Sequence, residues 1–507
     1  MKISVKFLGG TADNGNLTGS CTLLNIKQGK LTTNILVDTG LWQGRQEQSA
    51  EKNMNILKNV DPRIITAVVL THSHIDHIGR LPILAKHGFR GRVFCTKPTA
   101  DILGSMLEDS AKIMESEARY LRKKIINANG LQPKQNQKRR AGHKPKRPEP
   151  LYTCDDVTNT LELIKNNGFD YRKWIKLDHN IYLQFYPSGH VLGGAICVIR
   201  IDQKKKKQIF LGFSGDLGRK DGIILPPPAE IKIPIHYWFT ESTYGGIKHP
   251  PRDEEIIMML ELVKQAIKTN GKILIPSFAL ERTQEILYLL SYFMSVGKIP
   301  IIPMYLDSPL ATKITRIFSK YWDTRMFKGQ EILKFNPFND ENFFLKTVDD
   351  DYQSVEISKR PGPYLLIAGS GMCDAGRIRN HLRENLANSN TTVCLVGYMT
   401  EGSLGSKLKE GMPIVKMNGQ EICVKAKIVP FNSFSAHADG PFLVEFISRL
   451  INSKKNNSPI FILHGNEKSG LSLKRDLLNN FNENKGEWKK NIILPNLNQS
   501  IDLNCDL

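Results

Sequence analysis

The sequence predicts an α/β protein in which a β-rich α/β domain, at 1–244 and 421–507, is interrupted by a parallel α/β domain at 245–420. Three observations carry that prediction. Strand-like segments separated by Gly, Asn and Asp turns dominate the chain up to residue 95. From residue 252 strand and helix signals alternate, the pattern of a parallel sheet. From 421 strand signals return.

In order, 3–8, 21–26 and 35–37 are β-rich, and 64–70 is a continuous apolar run ending at Thr71, as in a strand buried on both faces. Residues 100–121 have a helical period. The run RKKIINANGLQPKQNQKRRAGHKPKR, 122–147, holds ten Lys or Arg and no acid. Its Gly, Pro and Gln breakers predict a mobile basic loop. Strands are expected at 181–186, 195–201 and 208–213, with 204–207 at the hairpin tip between the last two. Ile256, Leu260, Val263 and Ile267 share one helical stripe. Strand 272–275, helix 281–295, strand 299–306, helix 310–320, strand 364–368, helix 375–387 and strand 393–397 continue the alternation. Strand 422–429, helix 440–451 and strand 460–463 follow, with no internal repeat.

Composition narrows the functional classes. The 507 residues are 40% hydrophobic, enough to fill cores and to exclude a disordered chain. Lys plus Arg number 70 and Asp plus Glu 50, so the formal charge is +20. That excess points to a polyanionic partner, nucleic acid before an anionic membrane surface. No run approaches the roughly 18 apolar residues of a membrane span, so no membrane partner is expected. The first residues, MKISVKFLGG, lack the apolar core of a signal peptide. Eight dispersed cysteines without a CxxC pair fit a reduced, cytoplasmic enzyme.

The strongest chemical signal is THSHIDHIG, 71–79. His72 and His74, two apart in an extended segment, point the same way and can share one ion. A turn beyond them lets Asp76 and His77 face a second ion. Imidazole and carboxylate are the expected ligands of catalytic zinc. His190, ending YPSGH, and Asp216, ending FSGD, follow strands in the same manner. A carboxylate can bridge two cations, which makes Asp216 the natural shared ligand.

The segment ITAVVLTHSHIDHIG, with ILVDTG ahead of it and SGH and SGD behind, resembles the metallo-β-lactamase superfamily of binuclear hydrolases. Asp38 matches the acid of that family's first motif, which orients metal-bound histidines. Seven later blocks occur in the order of the β-CASP branch, whose members process RNA or DNA. They are WFTESTYGG (238–246), IPSFALERTQEILYLL (275–290), YLDSPLA (305–311), GSGMCDAGRIRNHL (369–382), VGYMTEGSLG (396–405), FSAHAD (434–439) and ILHGN (462–466). The resemblance implies a metallo-β-lactamase αββα sandwich with an inserted β-CASP domain. It matches Glu241 to motif A, His437 to motif B and His464 to motif C. It therefore implies two Zn²⁺ per chain, one on His72, His74 and His190, the other on Asp76, His77 and His464, with Asp216 bridging. Two departures stand out: Asn466 where the family has Glu, and Ala375–Gly376 and Asn380–His381 where it has GG and HH.

Two zinc ions would lower the pKa of a bridging water and clamp phosphate oxygens. Glu241 would orient His437, which protonates the leaving oxygen. Ser370 and Gly371 in a Gly-rich turn, Arg377 and Ser435 are the candidate substrate contacts. Histidines such as His249 have no motif around them and are expected to be structural or exposed. The expected function is a zinc-dependent ribonuclease, an endonuclease before a 5′-exonuclease of RNase J type, since the chain ends soon after His464. A small-molecule hydrolase of the same fold needs neither the inserted domain nor the basic surface. A non-catalytic RNA-binding subunit would have lost ligands that are all present here. DNA-directed members of the branch lack the motif C histidine, so His464 favours RNA. RNA is the expected partner, and self-association as a homodimer is compatible with this reading.

Overall fold

The structure, a computed structural model, describes residues 1–11, 18–43, 46–130, 148–164, 168–203, 207–322, 327, 335–339, 344–348, 350–397, 399–452, 459–481 and 491–505. The chain divides into two compact units. Unit 1 comprises Met1–Leu183, Arg200–Ile209 and Pro495–Leu507; unit 2 comprises Gln184–Ile199 and Phe210–Leu494.

Unit 1 is built on a sheet in the order Ser500–Leu503, Lys2–Gly9, Cys21–Gln28, Leu31–Val37, Ala67–Val69, Arg92–Thr96 and Gly168–Phe169. Its first four strands pair antiparallel, and from Leu31–Val37 onward the pairing is parallel. Val5, Phe7, Leu24, Leu36, Val68 and Phe94 are buried, as are Leu103 and Leu107 of the helix Lys97–Gly130. That helix corrects the basic-loop expectation at 122–130. Arg122, Lys123 and Lys124 are good helix formers, and an exposed helix end needs no apolar period. Residues 131–147 of the expected loop, and 204–206 of the expected hairpin tip, lie outside the described residues.

Another sheet, most of whose residues fall in unit 2, runs in the order Ile492–Ile493, Ile460–Ile462, Tyr237–Thr240, Ile209–Phe213, Ala195–Ile201, Ile181–Pro187 and Ile175–Asp178. Ile209–Phe213, Tyr237–Thr240 and Ile460–Ile462 are mutually parallel. Trp238, Ile460, Leu443 and Leu473 close a core between these strands and the helices Gly440–Asn452 and Glu467–Asn480. A second sheet of unit 2 runs Leu345–Thr347, Met304–Asp307, Tyr364–Ala368, Lys272–Pro276, Thr391–Leu395 and Lys427–Pro430. Every pairing in it is parallel, as the alternation of strand and helix requires. Its helices follow local rules: Arg252–Thr269 opens on Asp253, Glu254 and Glu255 and ends on left-handed Asn270, and Ser308 caps Pro309–Tyr321.

Three expected strands are shorter than their apolar runs. In place of 64–70 the paired strand is only Ala67–Val69, and Ile64 belongs instead to a 3₁₀ turn, Pro62–Ile64, which Asp61 starts by accepting from Arg63 N. The expected 299–306 shrinks to Met304–Asp307, because Pro300 and Pro303 have no N–H for a ladder. The expected 422–429 is two strands, Gln420–Cys423 in a hairpin with Ile414–Met417, and Lys427–Pro430 at a sheet edge. Between them Lys425 N and Ala426 N both donate to Leu386 O, which breaks the run. Among the described residues no helix is long and apolar enough to cross a membrane.

Candidate metal centre

In unit 1 the donors stand where two parallel strands end. Leu31–Val37 runs beside Ala67–Val69, with Val37 opposite Val69, so Asp38 and Thr71 emerge together. Asp38 N donates to Val69 O at 2.8 Å. The Asp38 carboxylate, 4% exposed, accepts from Thr71 N and Thr71 Oγ1, both at 2.8 Å. It also accepts from His77 Nδ1 at 2.8 Å. Thr71 Oγ1, having given its proton to Asp38, lies 3.1 Å from His72 Nδ1 and accepts from it. One carboxylate thus fixes the tautomer of His77 directly and of His72 through a hydroxyl, leaving both Nε2 atoms with lone pairs.

His74 opens the one-turn helix Ile75–Ile78 that carries Asp76 and His77. His72 Nε2 and His74 Nδ1 are 3.1 Å apart. Adjacent nitrogens around a tetrahedral ion with bonds of 2.0–2.1 Å are separated by about 3.3 Å, so this pair fits one ion. The turn is pinned from below: Ser20 N donates to Asp76 O, Thr39 N to His77 O and Leu41 N to Ile75 O. A Cβ on Gly40 would stand 1.5 Å from Asp76 O, so only glycine passes there.

In unit 2 Asp216, Glu241 and His464 follow the three parallel strands Ile209–Phe213, Tyr237–Thr240 and Ile460–Ile462, all beyond their carboxyl ends. Asp216 is 2% exposed. Its Oδ2 lies 3.5 Å from His190 Nε2 and its Oδ1 3.5 Å from His464 Nε2. A carboxylate that offers one oxygen to each of two imidazoles has the geometry of a bridging ligand. His190 is placed by backbone contact: Gly218 N donates to Ser188 O, and a Cβ on Gly218 would stand 1.9 Å from Gly189 O. His464 takes left-handed backbone, φ 46°, and its carbonyl accepts from Ser242 N and Thr243 Oγ1 of the WFTESTYGG block.

His437 stands beside these donors. Its Nδ1 faces Glu241 Oε2 at 3.2 Å and Oε1 at 3.3 Å, while its Nε2 is 4.0 Å from Asp216 Oδ2. Glu241 is buried and also accepts from Leu217 N at 2.6 Å. His437 N donates to Ser435 Oγ, and Ala438 N to Leu217 O, so the SAHAD segment is knitted to the segment carrying Asp216. Asp439 caps the helix Gly440–Asn452 through Phe442 N.

The expected contacts Arg377, Ser370 and Gly371 lie in loops of the parallel sheet. Arg377 donates to Asp307 Oδ1, Asp351 Oδ1 and Val348 O, so its guanidinium is engaged within the parallel sheet's own loops. His381, buried with Asp307 and Ser358, completes that network. The Ser370–Gly371 turn closes on itself, Ser370 N donating to Ala375 O and Ala375 N to Ser370 Oγ. Asn466, the departure from the family's Glu, caps the helix Glu467–Asn480 through Ser469 N at 2.8 Å.

Several residues here carry no sequence signal. Ser433, four positions before His437, is buried, and its N and Oγ donate to Glu255 Oε2 at 2.8 and 2.6 Å. Its carbonyl accepts from Arg219 and Arg252. His249 Nε2 donates to His437 O. Burial, and then the Arg219 guanidinium, push the His249 imidazole down to about 4. Glu281 accepts from Leu192 N, two residues after His190. Thr71 of THSHIDHIG and Glu281 of IPSFALERTQEILYLL lie inside quoted motifs, although neither residue was itself a candidate.

Residues 14–95 match the metallo-beta-lactamase superfamily, 283–408 the Beta-Casp domain, and 421–495 the Zn-dependent metallo-hydrolase RNA specificity domain. Ribonuclease TTHA0252 of Thermus thermophilus is 30% identical over 464 residues, 90% of this chain and 92% of that protein. An RNase J-like protein of Methanocaldococcus jannaschii is 26% identical over 478 residues, covering 93% and 94%. The transcription termination factor FttA of Methanosarcina mazei is 27% identical over 481 residues, covering 93% of this chain and 68% of the relative. The chain belongs to the β-CASP branch of the metallo-β-lactamase superfamily and is a metal-dependent RNA hydrolase.

Proposed function

We propose that the chain is a zinc-dependent endoribonuclease acting in RNA processing or decay in the cytoplasm, with two ions per chain. His72, His74 and His190 would hold one ion, Asp76, His77 and His464 the other, and Asp216 would be the shared ligand. The single observation that carries this reading is Asp216, one oxygen 3.5 Å from His190 and the other 3.5 Å from His464. The donor set fits zinc: nitrogen and carboxylate oxygen, no thiolate, and imidazole tautomers fixed by Asp38. When bound, zinc supplies a nucleophile at neutral pH and neutralises charge on the phosphate.

The chain's own residues supply the rest. Glu241 holds the His437 ring through Nδ1, which leaves Nε2 to protonate the departing 3′-oxygen of the RNA. The products are a 3′-hydroxyl and a 5′-phosphate, and the 2′-hydroxyl takes no part. The division into metallo-β-lactamase parts at 1–244 and 421–507 and a β-CASP domain at 245–420 belongs to the same proposal. Its later edge is best moved to 430, because Lys427–Pro430 pairs with Thr391–Leu395. Of the expected substrate contacts, the Ser370–Gly371 turn and Ser435 are retained. Arg377 is better assigned to positioning Asp307. Association as a homodimer stays an expectation of the sequence, to be tested by light scattering.

Likeness to a protein named RNase J-like favours a second reading, 5′-exonucleolytic degradation. Circular and end-labelled RNA separate the two. The endonuclease opens the circle, whereas an exonuclease leaves it intact and shortens only the linear substrate. Metal analysis of the zinc-reconstituted protein should return close to two ions per chain; one or none sinks the binuclear assignment.

A further inference from the structure

The parallel sheet of unit 2 has a crevice that the metal centre does not use. The strand Lys272–Pro276 continues through the helix Arg282–Ser295 to Met304–Asp307, on one side of it in the sheet. Its neighbour Thr391–Leu395 leads to Lys427–Pro430, on the other side. Where onward connections of adjacent parallel strands diverge, the loops at their carboxyl ends part, and α/β sheets bind ligands at that point. The loops here begin at Ser277 and Val396.

Phe278 stands at that point. It follows the buried strand directly, yet its side chain is among the exposed large hydrophobics, 39% accessible, between buried Ser277 and Leu280. Its backbone is fixed, its carbonyl accepting from Thr283 Oγ1 at 2.7 Å, while Ser277 N donates to Ala368 O. Two glycines make room for the ring. A Cβ on Gly371 would stand 2.8 Å from Phe278 Cδ2, and one on Gly397 3.1 Å from Cε2. One ring edge therefore lies against the backbones of two neighbouring loops, and part of the ring is open to solvent. A rigidly mounted aromatic ring, open to solvent at a sheet's ligand crevice, has no packing role that requires its exposure.

We infer that Phe278 is a stacking platform for one unpaired base of the RNA substrate. The inference rests on the RNA-hydrolase reading and adds to it a base contact in the inserted domain, where the sequence offered only phosphate contacts. Every base has a π-face, so the contact is sequence-tolerant, and stacking on an aromatic side chain contributes about 1–3 kcal/mol per base. That corresponds to about 5- to 150-fold in affinity. The Ser370–Gly371 turn lies beside the ring, so a nucleotide stacked there brings its backbone to that turn.

The test uses full-length, metal-loaded protein carrying His437→Ala to stop turnover, and a single-stranded RNA oligonucleotide followed by fluorescence anisotropy. Phe278→Ala should weaken binding about 5- to 150-fold, and Phe278→Trp should keep it within about threefold of the parent. The slope of log affinity against log salt should be the same in all three, because stacking releases no counterions. Gly371→Ala, which forces the ring aside, should weaken binding in the same direction. Equal affinity of Phe278→Ala and the parent overturns the inference, and so does failure of Phe278→Trp to bind like the parent. A parent that does not bind RNA at all overturns the RNA reading itself.

Discussion

His437 and His249 lie one against the other, yet their surroundings prepare them for opposite tasks. His437 keeps a 20% exposed side chain and a carboxylate partner on Nδ1, the arrangement of a group that must hold and release a proton. Its replacement by alanine should slow cleavage by roughly 10²–10⁴ while RNA binding and metal content stay nearly intact. Recovery of much of that loss on an RNA with a better leaving group would identify the missing step as leaving-group protonation. Loss of zinc from the variant would instead make His437 a ligand. His249 is shut in, and burial together with Arg219 lowers it to about 4, so it is neutral in the folded protein at pH 6. The unfolded chain takes up that proton below about 6.5, its ordinary value. Between 6.5 and 4 the unfolded state therefore binds more protons, and stability falls as pH falls through that window. Unfolding of His249→Gln by urea should lose about 2–3 kcal/mol less than the parent between pH 6.5 and pH 4. Parallel curves for the two proteins would show that His249 does not drive this acid sensitivity.

At the level of elements, what places His437 is the segment that precedes it. Ser433 is held at its N–H and hydroxyl by Glu255, from the first turn of Arg252–Thr269, and at its carbonyl by Arg219 and Arg252. Glu255→Ala leaves two buried donors unsatisfied, which should cost about 2–3 kcal/mol in denaturant unfolding. By loosening the segment it should lower turnover roughly 10- to 100-fold with zinc content unchanged. Glu255→Gln, which can still accept one bond, should fall between. A stability loss with turnover intact would make the clamp purely structural. Nothing in the sequence marks this clamp, because it joins residues some 180 apart by hydrogen bonds without a motif. The proposed metal donors stand out in the sequence for the opposite reason. Ligation restricts residue type and spacing, so THSHIDHIG, SGH and SGD carry their chemistry in the local sequence. Strands such as Ala195–Ile201 and Tyr364–Ala368 were legible because burial on both faces demands an unbroken apolar run. Such runs overstate a strand wherever tertiary hydrogen bonds interrupt them, as Leu386 O does at Lys425 and Ala426. The basic stretch after Leu121 misled in the other direction, since an exposed helical end has no apolar face to advertise.

Over the whole molecule, the charge of +20 is a statement about how substrate is gathered rather than how it is cut. Seven of those positive charges, Lys134, Lys138, Arg139, Arg140, Lys144, Lys146 and Arg147, fall within 134–147, outside the described residues. Lys123 and Lys124, from the same basic run, are exposed on the helix Lys97–Gly130, while Arg122 donates to Pro148 O. Replacing 134–147 with a Gly/Ser linker takes the formal charge from +20 to 20 − 7 = +13. If the segment grips RNA, each phosphate it neutralises contributes about 0.7 to the negative slope of log affinity against log salt for a single strand. Three contacts would flatten that slope by about 2 and weaken binding most at low salt. Turnover of a short RNA at saturation should hardly change, because none of the metal donors nor His437 lies in the replaced segment. The competing account is a solvated insertion that only keeps the protein soluble, since like-charge runs repel and stay hydrated. An unchanged slope would favour that account and move RNA capture to the rest of the basic surface. A collapse of turnover at saturation would contradict both, because it would place the segment at the reacting phosphate.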